Sequence, residues 1–199
     1  MAFIGMRRPI VVPISSHTDG SAISYGTPIT IGPAVSANIT FDVADNPDYG
    51  DDVIIDNDKG VNGYTLAMET NDIATSARKA MLGWGEITTT TTPTTVTHYE
   101  VTDDAAPTVG CAFIRVKQFK GVKKYEAFCF HKIQFSDGVE AASTKTRQIQ
   151  WNHPTLNGTG IGAYIDSTGK AHYFDWMEFD TESAAMTWMY GFFGANVPA

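Results

Sequence analysis

Ile29-Thr30-Ile31-Gly32-Pro33-Ala34-Val35-Ser36-Ala37-Asn38-Ile39-Thr40-Phe41-Asp42 puts Ile29, Ile31, Val35, Ala37, Ile39 and Phe41 on odd positions and Thr30, Ser36, Asn38, Thr40 and Asp42 on even ones. A period of two is the signature of a strand with one buried face and one wet face. The chain then turns acidic through Ala44-Asp45-Asn46-Pro47-Asp48-Tyr49-Gly50-Asp51-Asp52 and Asp56-Asn57-Asp58-Lys59-Gly60. It returns as a strand over Gly63-Tyr64-Thr65-Leu66-Ala67-Met68-Glu69-Thr70. This pattern predicts two strands joined by a long acidic loop, residues 44–61, that is presented to a partner and does not frame a catalytic pocket.

Working outward, the period changes after Asn71-Asp72. Ile73, Ala77, Ala80 and Met81 fall at helical spacing, Asn71 or Asp72 can cap the start, and Gly83 sits where a glycine ends a helix. Residues 1–27 mix Gly, Pro, Ser and Thr and read as an N-terminal arm or edge strand. Residues 86–98 are Thr-rich without alternating apolar partners, which predicts an exposed loop or ragged hairpin tip. Val109–Gln118 and Lys123–Phe135 read as a hairpin around Lys120-Gly121. In its second arm Tyr125, Ala127, Cys129, Ile133 and Phe135 are assigned to one face, Phe128 and Phe130 to the other. Gln148–Asn152 and Ala171–Trp176 are further short strands. Thr181 or Asp180 caps a last helix, within a C-terminal segment 180–199 rich in Met, Trp and Phe. The expectation is one domain, 1–199, with a mainly β sandwich or barrel fold and one or two covering α-helices.

The net charge of −8 argues against a general nucleic-acid binder, which needs Lys and Arg to displace phosphate counterions. It suits a surface past which nucleic acid must slide without sticking. The apolar runs fall short of the ~20 residues of a membrane span, and Arg7-Arg8 with Ile10–Ile14 lacks a cleavage site, so neither membrane insertion nor a signal peptide is expected. Cys111 and Cys129 are therefore read as buried free thiols, and their spacing fits no zinc pattern.

Catalytic and metal chemistry find little support. His17, His98, His131, His153 and His172 show no helical i, i+4 pair with a serving Glu. Gly158-Thr159-Gly160-Ile161-Gly162 lacks the Lys-Ser/Thr of a phosphate loop and reads as turns. Asp56-Asn57-Asp58-Lys59-Gly60 opens like a calcium loop, but Ala67 occupies the position of the bidentate Glu. A looser Ca²⁺ site among Asp45, Asp48, Asp51 and Asp52 competes with a solvated acidic loop, which is preferred. No catalytic residue, metal or cofactor is assigned, and an enzyme is not expected.

Several ordered blocks carry a resemblance. Asn38-Ile39-Thr40-Phe41 leads into 44–52, then Asp56-Asn57-Asp58-Lys59-Gly60, Asn62-Gly63-Tyr64-Thr65-Leu66 and the helix ending Met81-Leu82-Gly83. Val109-Gly110-Cys111-Ala112-Phe113-Ile114-Arg115, Lys123-Lys124-Tyr125-Glu126-Ala127-Phe128 and Lys132-Ile133-Gln134-Phe135 follow. Ala142-Ser143-Thr144-Lys145, Ile149-Gln150-Trp151 and Pro154-Thr155-Leu156-Asn157-Gly158 complete the series. Over most of residues 25–175 this resembles the major tail protein, or tail tube protein, of long-tailed bacteriophages, the phi13-type family. The resemblance implies a virion subunit, assembled in the host cytoplasm. Hexameric rings of it stack into a helical tube that DNA transits on ejection. Tape measure, tail terminator and distal tail proteins are the implied partners.

On that footing Asp45, Asp48, Tyr49, Asp51 and Asp52 are candidates for an inter-ring or subunit contact. Asp42 and Glu69 are candidates for an acidic lumen surface. Trp188, Tyr190 and Phe192 are candidates for a C-terminal interface, against ordinary core packing. An unpaired N-terminal arm would complete another subunit's sheet. The rival class is a tail-tip, decoration or carbohydrate- or receptor-binding β-sandwich module.

Overall fold

In the computed structural model, residues 2–91, 94–101, 105–137 and 152–198 are described; for Ala2, Tyr49, Gly50, Asp58, residues 90–91 and 94–96, and Asp137 this means the backbone only. The elements in chain order are β1 (Ala2–Ser16), β2 (Ser24–Tyr25), β3 (Ile29–Thr30), β4 (Ala34–Gly50), β5 (Val53–Thr70) and α1 (Thr75–Leu82). They continue as β6 (Gly85–Thr91), β7 (Thr94–Glu100), β8 (Thr108–Phe119), β9 (Val122–Asp137), β10 (Thr155–Gly160), β11 (Phe174–Phe179) and α2 (Glu182–Phe192). The fold is mainly β. One nine-stranded antiparallel sheet runs β2-β1-β8-β9-β10-β5-β4, with β3 beside β1 and β11 beside β9.

The sheet wraps a core on one face and carries a second core on the other. Val11, Cys111, Phe113 and Phe130 from β1, β8 and β9 meet Tyr64, Leu66 and Met68 from β5, and α1 closes this core with Ala77 and Met81. On the reverse face Ile10, Val12, Ala112, Ile114, Ala127 and Cys129 are covered by Ala185, Met189 and Tyr190 of α2 and by Phe193. Burial on both faces is why Val109–Ile114 reads as an unbroken apolar run with no alternation. β4 lies against this layer. Its Val35–Ala37 segment lies by Phe3 and Arg115, and the Phe41 ring stacks 5.7 Å from Phe174.

Both helices begin and end for local reasons. Thr181 Oγ1 accepts a hydrogen bond from the Ala184 N–H at the start of α2, as the sequence predicts. Gly83, at φ 74°, ends α1 by donating to the Lys79 carbonyl. The start of α1 differs from expectation. Its N-cap is Ala74, because the Asp72 carboxylate accepts from the Ile73 N–H and the chain is still extended there.

Residues 2–27 are not a free arm. β1 pairs with β8 from Ala2↔Gln118 to Pro13↔Val109 and contributes Ile10, Val11 and Val12 to both cores. Five consecutive apolar residues, Ile10–Ile14, are the mark of a strand covered on both faces, and the surrounding Gly and Pro obscured it. A bulge at Arg7–Ile10, with Arg8 at φ 53°, lets both Arg7 and Arg8 reach Glu182 at 2.7 and 3.4 Å.

The predicted loop 44–61 is likewise a correction: it is the distal part of a continuous hairpin. β4 and β5 stay paired from Ala34↔Thr70 to Gly50↔Val53, through Pro47↔Asn57. Composition argues for a loop here, but register is inherited from the anchored base, and Pro47 costs no ladder bond on an edge strand. Asp51 and Asp52 close the turn with φ 48° and 64°, the left-handed geometry of a two-residue hairpin connection.

Of the two alternatives for the Thr-rich segment, loop or hairpin tip, β6 and β7 pair as a two-stranded ribbon, with the Thr88 and Thr97 hydroxyls 3.3 Å apart across it. In β9 the predicted faces hold only for Tyr125–Phe130. A bulge between Val109↔Ile133 and Cys111↔Phe130 shifts the parity, so Ile133 and Phe135 join Phe128 and Phe130 in the first core. The Lys120-Gly121 turn stands as predicted, with φ 47° and 83°. The Ala171–Trp176 strand is displaced to Phe174–Phe179, and Gln148–Trp151 lies outside the described residues. Gly158 and Gly160 are not turn residues but strand positions in β10. A Cβ at Gly160 would enter the ring of its cross-strand partner Tyr64, and one at Gly158 would meet Ile133.

Candidate functional site

The feature that no core explains is the far half of the β4–β5 hairpin. Beyond Asp42↔Gly63 it extends through Val43–Gly50 and Val53–Asn62, and at ~3.3 Å per residue it projects roughly 25 Å. None of the described side chains here belongs to either core. Val43, Val53, Ile54, Ile55 and Val61 are all exposed, Ile55 by 72%. They form two groups, the cross-strand pair Val43 and Val61 at the base and Val53, Ile54 and Ile55 at the tip, and clustered exposed apolar side chains mark interaction surfaces.

The arm is also strongly charged: residues 42–59 hold seven Asp against Lys59. Lys59 pairs across the strands with Asp45 at 3.2 Å. Hydrogen bonds from Asn57 and then Lys59 hold the Asp45 carboxyl below its ordinary range. Asp48, Asp51, Asp52 and Asp56 are exposed. Of the predicted contact residues, Asp45, Asp48, Asp51 and Asp52 thus share one projecting element; Tyr49 lies on it, with its side chain outside the described set. Among the described residues no three His, Cys, Asp or Glu converge as a metal site requires.

Asp42 and Glu69 lie on one sheet face. In the β4–β5 register Ser36↔Glu69, Asn38↔Ala67, Thr40↔Thr65 and Asp42↔Gly63 form one row of pairs, and Ser36 Oγ donates to Glu69 at 3.1 Å. The polar row continues through Asn157 and Thr159 of β10 onto Ser136 and Gln134 of β9. Lys132 stands at its margin by the same alternation.

The C-terminal group is largely consumed within the chain. Tyr190, only 6% exposed, belongs to the second core, so it leaves the interface set. Trp188 and Phe192 are half-buried, 5.9 Å apart, and pack on Phe179 and His131. Burial and the nearby His172 hold the His131 imidazole pKa down, opposed by Asp175, whose Oδ2 lies 3.2 Å away. This pair ties β9 to β11.

Sequence reading missed a groove of about 570 Å³ between β4 and the β8–β9–β11 layer, lined by Phe3, Phe41, Phe128 and Trp176. The Arg115 guanidinium lies 3.8 Å from the Phe3 ring and 4.7 Å from the Phe128 ring, with Nη2 2.7 Å from buried Glu126. The only signal was the pairing of opposite charges, Arg115 against Glu126, across the predicted hairpin. Among the described residues sheet edges are open nearby: β4 ends the strand order, and β11 pairs on one side only, with β9. No protein-family model and no curated protein matches the chain.

Proposed function

We propose that this chain is a structural subunit that polymerises with itself as stacked hexameric rings into a phage tail tube, the conduit for DNA ejection. The observation that carries the reading is the projecting arm. An acidic hairpin with five exposed aliphatic residues outside both cores has a use in an assembly and none in an isolated monomer. The open edges of β4 and β11 support it, since unpaired strand edges are templates for pairing with another chain. So does the Asp42–Glu69 face, a polar row suited to a wall that DNA passes without binding.

In this role the arm carries the contact between subunits or rings, with Asp45, Asp48, Asp51 and Asp52 beside it, and β1 holds the sheet together from inside. The N-terminal donation of a strand to a neighbour is not part of the proposal, because β1 is already paired along its length. Sedimentation velocity over a concentration series tests the reading. Concentration-dependent species far larger than 21.6 kDa are expected. A single monomer boundary throughout, unchanged by adding sheared polymer as seed, would refute it.

A second reading is favoured by one observation, the aromatic groove. Exposed Trp176 and Phe3 flanking Arg115 are also what a carbohydrate- or receptor-binding module of a tail tip presents. A Trp176→Ala chain that assembles normally but no longer adheres to host cells would support that role.

A further inference from the structure

Two exposed ends of this molecule carry opposite charge that is not neutralised among the described residues. The arm turn presents Asp48, Asp51, Asp52 and Asp56 beside exposed Val53, Ile54 and Ile55, and among the described residues the arm's ion pair is its own Asp45–Lys59. The β8–β9 turn is the converse. Phe119 and Val122 flank it at 52% and 54% exposure, and Lys120 stands 5.4 Å over the Phe119 ring. Lys117 and Lys124 are held by Glu126, Glu178 and Asp180, whereas Lys120 and Lys123 form no ion pair among the described residues. Each end therefore joins exposed apolar surface, which burial would stabilise, to unneutralised charge of one sign.

We propose that the acidic tip of the arm in one copy docks on the Phe119–Lys123 turn of another copy. Ile54 and Ile55 would pack on Phe119 and Val122 while Asp51 and Asp52 face Lys120 and Lys123, a match of both apolar surface and sign. Because the two surfaces differ, the contact is heterologous: repeated, it closes into a ring or runs on as a filament. The docking rests on the self-assembling role proposed above and names the surface that the arm meets.

Single surface cysteines give the test, since Cys111 and Cys129 are buried and stay silent. Full-length Ile54→Cys and Phe119→Cys chains, carrying tags of different size, are mixed under mild oxidation at low salt. The 54–119 heterodimer should exceed either homodimer by roughly tenfold, the factor that ~1.4 kcal/mol of preference gives. Lys120→Glu with Lys123→Glu should erase that excess, and Asp51→Lys with Asp52→Lys in the partner chain should restore it. At 1 M salt, where the Debye length is ~3 Å, the excess should shrink. Equal yields of all three dimers, no dimer at all, or a heterodimer indifferent to charge reversal would overturn the docking. Tubes that form without the 54–119 link overturn the docking and keep the assembly role. The link in a protein that never grows past small oligomers keeps the docking and overturns the tube.

Discussion

Excising Val43–Asn62 and closing Asp42 to Gly63 with Asn-Gly removes the arm at a register pair and leaves a two-residue hairpin turn. The described side chains among the excised residues belong to neither core, so their removal opens no cavity. The identifiable loss is the hydrogen bond that Tyr173 Oη donates to the Val61 carbonyl at 3.2 Å, about 1 kcal/mol net. Against it, shortening the connection from twenty residues to two is worth at most ~2 kcal/mol in closure entropy. An isolated two-stranded ribbon adds little stability of its own. Stability should therefore stay within about 2 kcal/mol of the full chain, which at ~2–4 °C per kcal/mol for this size keeps Tm within roughly 8 °C. Circular dichroism melting and sedimentation velocity on the same sample provide the assay. A folded monomer with normal Tm and no polymerisation is expected. Loss of the folded state would mean that the arm is part of the cooperative core. Normal polymerisation of a folded variant would mean that the arm is not the contact.

Three further outcomes follow from the packing. Gly160→Ala should cost about 1–3 kcal/mol in urea denaturation through overpacking against Tyr64, while Thr159→Ala on the exposed face should change little; equal effects would refute the close approach. Burial pushes the Cys111 thiol from 9.0 up to about 12, and burial with Asp175 nearby raises Cys129 as well. Below about pH 9 both states hold these protons; above it the unfolded chain releases them first. Stability should thus fall by ~1.4 kcal/mol per pH unit for each thiol up to about pH 12, and a flat profile from pH 9 to 11 would contradict this. Assembled protein should show no measurable DNA affinity at physiological salt, and Asp42→Lys with Glu69→Lys should create salt-sensitive binding. Tight binding by the unaltered assembly would refute the acidic-wall role.

Much of the fold was legible where one physical signal dominated. The odd–even alternation of Val35–Phe41 placed a strand, Lys120-Gly121 placed a turn, and Thr181 and Gly83 marked helix ends. The errors have a common cause: local composition was overruled by pairing inherited from elsewhere. Asp, Asn, Pro and Gly between residues 44 and 61 favour a loop, yet β4 and β5 arrive already in register and the ladder continues. Ile10–Ile14 looked like a fragment of an arm because a strand covered on both faces shows no alternation. The parity slip in β9 came from a bulge at His131-Lys132, and bulges leave no periodic trace. The candidate site was half visible. The acidic segment announced itself by charge, but Val53, Ile54 and Ile55 within it drew no separate reading, because their exposure is set by the fold. The groove around Arg115 depends on β4 lying against β8 and β9, a tertiary relation that spacing does not encode.

Negative-stain electron microscopy of the purified full chain, alone and after addition of sheared polymer as seed, tests the central claim most directly. Hollow tubes of regular diameter with stacked-ring striations, absent from the arm-excised variant, are the expected result. A field of monomers in both conditions, from protein that is folded by circular dichroism, would contradict the account.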